Sequence, residues 1–390
     1  MMRQEPLWRP QPEAAASSAM AEFQTFFGSR LGRTFADYPS LHRASVEERG
    51  EFWSALWDFC GVIGEKGTVL LAEDRMPGAS FFPEARLNYA ENLLQEADDR
   101  EAIVFRAEDR VEKRMTRREL LSAVGSAQRF LKSKNVGVGD RVAAMLPNCP
   151  EAIVMMLATA SLGAIWSSCS PDFGVRGVLD RFSQIEPKIF LCCDGYFYNR
   201  QRLSIRDKCV EILGSLPSVK AALVIELIGE ANEVAISLPD AATYTKIISN
   251  VSDEGVHFER FPFNQPLFIL FSSGTTGIPK CIVHGAGGTL LQHLKEHRLH
   301  SNNGRNDRVF YFTTLGWMMW NWLVSALACQ STLILFDGSP FAPRPQFLFD
   351  YAEKERVSFF GTSAKYLDSC RKLDLTPAET HTLSSLRKIG

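Results

Sequence analysis

The sequence has no strong excess of charge of either sign. Lysine and arginine total 43 against 45 aspartate and glutamate residues, which gives a net charge of −2. A chain with this balance has no global electrostatic attraction for nucleic acid or for an anionic membrane surface. Its composition, 45% hydrophobic and 23% charged, is that of an ordinary globular protein. We therefore expect small-molecule substrates and neither nucleic acid nor a membrane as partner.

Paired cysteine motifs are also lacking. None of the nine cysteines forms a C-x-x-C pair, and Cys169 and Cys329 lie in apolar runs where free cysteine packs as a small hydrophobic residue. The charged N-terminus is not followed by the apolar stretch of a secretory signal. These features predict a reducing, cytosolic environment.

One uncharged stretch raises the question of a membrane span. Residues 152–171 carry no charge over 20 positions. However, Gly163 interrupts the stretch and its end, S-S-C-S, is polar, so a buried helix followed by a strand fits better than a transmembrane helix.

From residue 101 onward, strand-like and helix-like periods alternate. Predicted strands lie at 102–106, 140–146, 164–168, 188–193, 221–226, 308–314, 331–336 and 357–361, with helices at 117–133, 151–162, 174–185, 204–213, 287–299, 318–329 and 345–355. Such alternation predicts parallel strands joined by right-handed helical crossovers. We expect an α/β fold of mixed, largely parallel sheets layered with helices.

Three regions lie outside this alternation. Residues 1–39 are rich in proline and alanine and predict a loosely ordered arm. A helix is expected over 46–60 with Ser45 as its N-cap and with Phe52, Leu56 and Trp57 on its apolar side. Residues 229–262 are expected to form an irregular connection.

The most informative stretch is S-S-G-T-T-G-I-P-K at residues 272–280. It combines four hydroxyls, two glycines and Lys280, and these groups suit phosphate because hydroxyls, free backbone N–H groups and a cation all bind its oxygens. The spacing is not that of a Walker loop, since Lys280 follows Pro279 and no helix is predicted there. Apolar runs at 266–271 and 281–284 predict that the loop joins two strands, and a plain glycine and serine hairpin turn is the alternative.

This signature resembles the phosphate-binding loop of the adenylate-forming superfamily, which includes acyl-CoA synthetases, firefly luciferase and the adenylation domains of peptide synthetases. Cys281 departs from the family, where glycine is commonest at this position. The resemblance implies that ATP and Mg²⁺ bind here, with Thr276 approaching Mg²⁺. It assigns the phosphate contacts to Ser272, Ser273, Gly274, Thr275, Thr276, Gly277 and Lys280.

A second candidate site is the aromatic run T-T-L-G-W-M-M-W-N-W at 313–322. It is expected at a strand end, where open α/β sheets bind ligands, and core packing is the alternative. Together with S-P-D-F-G at 170–174 and D-R-F-S-Q-I-E-P at 180–187, the run is similar to short-chain acyl-CoA synthetases of the same superfamily. The resemblance implies that Gly316, Trp317 and Trp320 line a pocket for a carboxylic acid.

The resemblance covers most of residues 40–390 and implies a domain organisation. Residues 40–97 resemble the N-terminal segment of acetyl-CoA synthetases, and residues 98–390 resemble the AMP-binding domain, with subdomains at about 98–262 and 263–390. The implied reaction has two steps: acetoacetate reacts with Mg·ATP to give an acyl-adenylate, and coenzyme A then displaces AMP. Acetate or another short-chain acid is the alternative substrate.

The family pattern extends beyond the last residue of this sequence. Its adenine-binding turn, its magnesium-binding glutamate and the lysine of its mobile C-terminal domain are expected after Gly390, so the catalytic lysine has no counterpart here and the fold is expected to be incomplete at the C-terminus. We therefore expect these 390 residues alone not to complete the ligase reaction. A non-catalytic remnant or truncated isoform is the alternative interpretation.

Two histidine features remain open. His293, Glu296 and His297 match H-x-x-E-H, in which two histidines one helical turn apart bind zinc and the glutamate activates water. A zinc hydrolase needs a third ligand, and the charged residues of this helix, such as Lys295, favour a solvated face instead. His284 follows the phosphate loop and is either a phosphate neighbour or a structural residue.

Overall fold

The computed structural model describes residues 9–249, 255–272 and 277–390. Its helices are α1 (Pro12–Ala16), α2 (Ala19–Arg30), α3 (Tyr38–Glu47), α4 (Arg49–Phe59), α5 (Tyr89–Leu93), α6 (Arg117–Ser133), α7 (Pro150–Ser161), α8 (Val175–Phe182), α9 (Arg206–Gly214), α10 (Ala231–Ile236), α11 (Tyr244–Ile248), α12 (Ala286–Leu294), α13 (Met318–Ser325), α14 (Phe347–Lys354), α15 (Ala364–Lys372) and α16 (Pro377–Thr380). A π-helical turn, Lys295–His300, continues α12, and a 3₁₀ turn, Ala326–Cys329, continues α13.

The strands are β1 (Gly64–Glu65), β2 (Leu71–Glu73), β3 (Ser80–Phe81), β4 (Arg86–Leu87), β5 (Glu101–Ala107), β6 (Val111–Thr116), β7 (Arg141–Met145), β8 (Ile165–Cys169), β9 (Ile189–Cys193), β10 (Gly195–Tyr198), β11 (Gln201–Ser204), β12 (Ala221–Ile225), β13 (Ala241–Thr243), β14 (Phe261–Pro262), β15 (Pro266–Ser272), β16 (Lys280–Gly285), β17 (Arg308–Tyr311), β18 (Thr332–Asp337), β19 (Phe359–Gly361) and β20 (Lys388–Ile389).

Two large sheets dominate the described part of the chain. The first has seven strands in the order β13-β12-β9-β7-β8-β15-β16, parallel throughout except that β16 runs antiparallel to β15. The second has six strands in the order β20-β19-β17-β18-β5-β6, in which β5 and β6 form the antiparallel pair. The predicted α/β fold with mixed, largely parallel sheets is confirmed.

Local sequence signals explain several of these boundaries. Helix α6 begins after Thr116, whose side chain accepts a hydrogen bond from the backbone N–H of Glu119 while the glutamate carboxylate reaches back to Thr116, a capping box. Helix α7 is buried along its whole length and leads into β8, as predicted for residues 152–171. Of the helices in the described ranges, none combines the length and apolar character that crossing a bilayer requires.

The N-terminal predictions need correction. The described part of the predicted loose arm is folded: Phe23 and Phe27 of α2 are fully buried and contact Phe52 of α4 edge to face. Two phenylalanines four residues apart form one helical face, which outweighs the proline and alanine content. Ser45 is not an N-cap, because α3 starts earlier, after Asp37, and the chain bends at Glu48 before α4.

The predicted irregular connection at 229–262 is also wrong in its described part. It contains α10, β13 and α11, and β13 adds a parallel edge strand beside β12. The strand sequence A-A-T has neither the alternation nor the apolar bulk by which strands are recognised, so its pairing depends on the neighbouring strand.

Candidate functional site

The phosphate loop joins two antiparallel strands, as predicted. Ser272 ends β15 and pairs in register with Lys280, the first residue of β16. Gly277 has a φ of +143°, a conformation that favours glycine, and Lys280 is exposed. Ser273, Gly274, Thr275 and Thr276 lie outside the described residues. Of the predicted phosphate contacts, the structure therefore describes Ser272, Gly277 and Lys280.

The loop lies at the carboxyl edge of the first sheet. Strand β15 runs parallel to β8, so Ser272 emerges at the same edge as the residues that follow Cys169. The side-chain amide of Gln184 donates to the carbonyl of Pro279 at 2.8 Å and so ties the loop to the end of α8. The Arg181 guanidinium lies 5.9 Å from the centre of the Phe271 ring, which adds a cation just before the loop.

The segment between β17 and α13 crosses this edge. The Ser168 hydroxyl donates to the carbonyl of Leu315 at 2.9 Å. Gly316 packs beside Phe173 and the backbone of Cys169 and Ser170, and a Cβ atom there would make only ordinary contacts, the shortest 3.4 Å from the Phe173 ring. Trp317 is 66% exposed. Gly316 and Trp317 remain predicted pocket residues, and neither is among the residues that line the two openings described below.

The prediction that Trp320 lines the acid pocket is wrong. Its side chain is fully buried, stacks on Trp166 with ring centres 6.2 Å apart, and donates through Nε1 to Oδ1 of Asn148 at 3.0 Å. Trp320 therefore belongs to the core that supports the site, because α13 presents this face to β8.

A cavity of about 880 Å³, here called the β16 cavity, opens beside the loop strand. Its lining is mostly apolar, with a few polar groups, as is typical of small-molecule sites. The lining residues used below are His284 of β16, Thr289 and His293 of α12, and Met318, Met319 and Trp322 of α13. The sequence of the aromatic run does not distinguish Met318, Met319 and Trp322 from its other members, because the one polar residue of 318–322, Asn321, is itself buried and so does not mark a solvated face.

The phosphate loop and the β16 cavity share one strand. Alternation along β16 places the side chains of Lys280 and His284 on the same side, about 13 Å apart along the strand. His284 is half-buried and lines the cavity, and burial lowers the pKa of its imidazole, which favours the neutral form. A ligand that spans this strand could hold its anionic part at the loop and its apolar part in the cavity.

A second opening, a crevice of about 630 Å³, lies at the carboxyl ends of strands from both sheets. Its lining includes Ser170, Thr314, Asp337 and Ser363, which follow or end β8, β17, β18 and β19. Asp337 as a whole residue is half-buried, but its carboxyl group faces inward and accepts a hydrogen bond from the backbone N–H of Asn148 at 3.0 Å. Burial of this carboxyl group raises its pKa to about 6. Thr314, which follows β17, lines this crevice, whereas Tyr311 at the end of β17 lines the β16 cavity.

The H-x-x-E-H helix does not form the predicted solvated face. His293 and His297 are both buried, at 6% and 0% exposure. His297 uses both ring nitrogens, Nε2 at 2.8 Å from the carbonyl oxygen of Trp322 and Nδ1 at 3.1 Å from the side-chain amide of Asn303, and burial lowers its pKa to about 4. Within the described ranges no three His, Cys, Asp or Glu side chains converge to hold a metal ion. This geometry gives the zinc interpretation no support.

Comparison with known proteins gives consistent matches. The family model described as AMP-binding enzyme matches residues 90–390. The acetoacetyl-coenzyme A synthetase of Rhizobium meliloti (strain 1021) is 54% identical over 99% of this chain and 59% of its own length. The malonamoyl-CoA synthetase of Penicillium aethiopicum is 39% identical over 93% of this chain and 50% of its own length.

A solved structure also resembles this fold. The acetoacetyl-CoA synthetase from Streptomyces lividans matches with a TM-score of 0.93 at 38% identity, covering 99% of this chain and 59% of that one. The chain thus spans at most about three fifths of the length of these relatives.

Proposed function

Because the chain belongs to the AMP-binding enzyme family, we propose that it provides the ATP-phosphate and acid sites of an AMP-forming ligase that joins acetoacetate to coenzyme A. The observation that carries the proposal is that the phosphate loop and the β16 cavity adjoin the same strand, β16. The 54% identity to an acetoacetyl-coenzyme A synthetase, which extends over 99% of the chain, supports acetoacetate as the acid.

The proposed reaction has two displacements. A carboxylate oxygen of acetoacetate attacks the α-phosphorus of ATP, the bond between the α-phosphorus and the bridging oxygen to the β-phosphate breaks, and pyrophosphate leaves. The sulfur of coenzyme A then attacks the acyl carbonyl carbon, the thiol proton is lost, and AMP leaves. Both steps depend on positioning the reactants and on neutralising charge, for which hydroxyls, amides and a lysine are suited.

The chain's own groups act mainly on the phosphates. In the proposal, Lys280 supplies a positive charge at the mouth of the loop, and the Ser272 hydroxyl donates to a phosphate oxygen. Ser273, Gly274, Thr275, Thr276 and Gly277 complete the cradle. The Thr276 hydroxyl is a hard oxygen ligand of the type that Mg²⁺ prefers, and a bound Mg²⁺ would neutralise phosphate charge.

The acid is proposed to occupy the β16 cavity. Met318, Met319 and Trp322 offer apolar surface to its carbon chain, and His284 lies between this surface and Lys280 along the strand. Acetoacetyl and malonamoyl groups both carry a carbonyl at C3, so the names of the relatives favour a short acid with that group over acetate. Gly316 and Trp317 are proposed to border the acid from the exposed side.

The cellular setting is part of the proposal. All nine cysteines lie in the described ranges and are free thiols, which suits a reducing cytosol. The near-neutral charge fits small-molecule substrates better than nucleic acid.

The test is acetoacetate-dependent exchange of pyrophosphate into ATP, which reports the first displacement alone. It should be measured on these 390 residues and on a chain extended to the length of the relatives, because only the comparison separates a ligase from a non-catalytic remnant. Lys280→Ala should lower exchange on the order of a hundredfold. Lys220→Ala, at an exposed lysine outside the loop and the cavity, is the matched control. Exchange unaffected by Lys280→Ala, or supported by acetate and not by acetoacetate, would contradict the proposal.

A further inference from the structure

His293 is a buried polar residue whose hydrogen-bonding capacity is not used. The side chain lines the β16 cavity and is only 6% exposed. Its Nδ1 atom is fully buried and has no hydrogen-bond partner in the part of the chain that the structure describes. Nε2 has no protein partner there either, but it is not among the fully buried atoms, so it is the nitrogen that a ligand in the cavity can reach. Buried polar side chains are nearly always hydrogen-bonded, so an imidazole beside a cavity with neither nitrogen paired calls for a ligand or a functional reason.

The other histidine of the same helix shows what a purely structural role looks like. His297 lies one turn further on, is equally buried, and satisfies both ring nitrogens with protein groups. His293 does not. The difference lies in what the two rings face: His297 contacts the end of α13, whereas His293 faces the cavity together with Thr289, which precedes it by one turn on α12.

The protonation state of His293 follows from its surroundings. Burial, with smaller contributions from His297 and His284, lowers its pKa to about 3, so the imidazole is neutral near pH 7 and carries one N–H. We assign this proton to Nε2, because on the fully buried Nδ1 it would be a donor that no ligand can reach, and Nδ1 is then the bare acceptor. Because Nδ1 is on the fully buried edge, Nε2 is the atom that can reach a ligand.

The surface around this donor is mainly apolar. Met318, Met319 and Trp322 form the α13 side of the cavity, and Tyr311 and Phe359 lie on its β-sheet side. Other polar residues, such as His284, Thr289 and Gln292, also line it, but the N–H of His293 has no protein partner. It therefore favours a ligand that brings an acceptor to it and disfavours one that brings a methylene, because the donor would then be desolvated without a partner.

We propose that Nε2–H of His293 donates a hydrogen bond to the C3 carbonyl oxygen of the acid, which makes His293 a specificity-determining residue for 3-oxo acids. The inference rests on the proposed function and deepens it, since it names the group by which acetoacetate is distinguished from an unsubstituted acid of equal chain length.

The test compares acetoacetate with butyrate, which has the same carbon chain and a methylene in place of the C3 carbonyl. In the protein extended to the length of the relatives, His293→Leu should lower the ratio of kcat/KM for acetoacetate to that for butyrate by about 10- to 100-fold, with the KM for ATP unchanged. His293→Gln keeps an N–H donor and should restore most of the ratio. His300→Leu, on the exposed end of the same helix and outside the β16 cavity, should leave it unchanged.

A measurement on the unaltered protein keeps the inference testable even if His293→Leu does not fold. The ring resonances of His293, assigned by comparison with His293→Gln, should shift when acetoacetate is added and shift much less with butyrate. An unchanged acid ratio in a folded His293→Leu, or equal shifts with the two acids, would overturn the role of His293 and leave the ligase proposal intact. Absence of exchange with every short-chain acid in the unaltered, length-extended protein would overturn the ligase proposal, and this inference with it.

Discussion

The two tryptophans of the G-W-M-M-W stretch should respond very differently to the same substitution. Trp320→Phe removes the indole N–H that donates to Oδ1 of Asn148 and leaves that buried oxygen without a partner. It also leaves a gap beside Trp166, on which the indole stacks. Trp317→Phe changes a side chain that is 66% exposed.

The expected magnitudes follow from these surroundings. An orphaned buried acceptor costs about 1–3 kcal/mol, and the volume lost from indole to phenyl adds about 1–2 kcal/mol. Trp320→Phe should therefore lower the free energy of unfolding by about 2–5 kcal/mol. Trp317→Phe should stay within about 0.5 kcal/mol of the unaltered protein.

Urea unfolding followed by far-UV circular dichroism measures both variants, because this signal does not depend on the fluorescence of the altered tryptophan. Each free energy of unfolding is extrapolated to water and compared with that of the unaltered chain. Equal losses in the two variants, or a larger loss in Trp317→Phe, would refute the placement of Trp320 in the core and return it to the pocket wall.

Three further predictions concern other parts of the chain. Asp194→Asn should lower the free energy of unfolding by about 2–4 kcal/mol, because the buried carboxylate accepts hydrogen bonds from three backbone N–H groups within 227–230. Urea unfolding measures this loss, with Asp99→Asn as an exposed control, and equal stabilities of the two variants would contradict the prediction. Burial lowers the pKa of His297 from 6.5 to about 4 in the folded protein. Between pH 6.5 and 4 the unfolded chain therefore binds a proton that the folded chain does not, and the free energy of unfolding falls as the pH falls. His297→Gln should reduce that pH dependence, with the contribution of buried His293 left in place, and an unchanged slope in thermal unfolding would argue against it. Cys281, the exposed cysteine beside Lys280, should be alkylated more slowly when Mg·ATP is present. Mass spectrometry of the labelled peptide measures the rate, and equal alkylation rates with and without Mg·ATP would place the nucleotide elsewhere.

Several strands of the two large sheets were predictable because they are buried on both faces. Strands such as β9 and β12 read as short continuous apolar runs between polar segments, which is the pattern that parallel strands require. The helix boundaries were predictable where capping residues mark them, as Thr116 and Glu119 do for α6. Where neither signal exists, as in β13 or at the bend after Glu47, the structure depends on contacts with distant segments.

The aromatic run shows why burial was harder to predict than the elements themselves. In M-M-W-N-W four of the five residues are apolar or aromatic and the one polar residue, Asn321, is buried, so helical periodicity does not indicate which residues meet the core. The answer comes from Trp166 and Asn148, which lie more than a hundred residues earlier and receive Trp320. The residues left to line the β16 cavity, Met318 and Met319, are identified only once that side is fixed.

The two proposed subsites therefore differ in how far sequence alone can define them. A phosphate loop takes its donors from consecutive backbone amides and hydroxyls between two strands, so the stretch 272–280 carries nearly all of its chemistry in its own sequence. The β16 cavity is assembled from β16, α12, α13, β17 and β19, and the role of each side chain depends on its neighbours. His293 and His297 illustrate this dependence, because they share a helix and a motif but differ in their partners. Both ring nitrogens of His297 are hydrogen-bonded, to Asn303 and to Trp322, whereas His293 has an unpaired nitrogen beside the cavity. Members of this family with the same loop can therefore accept different acids, because the residues that select the acid belong to no local motif. The acid must be assigned from the partners of each polar group in the cavity.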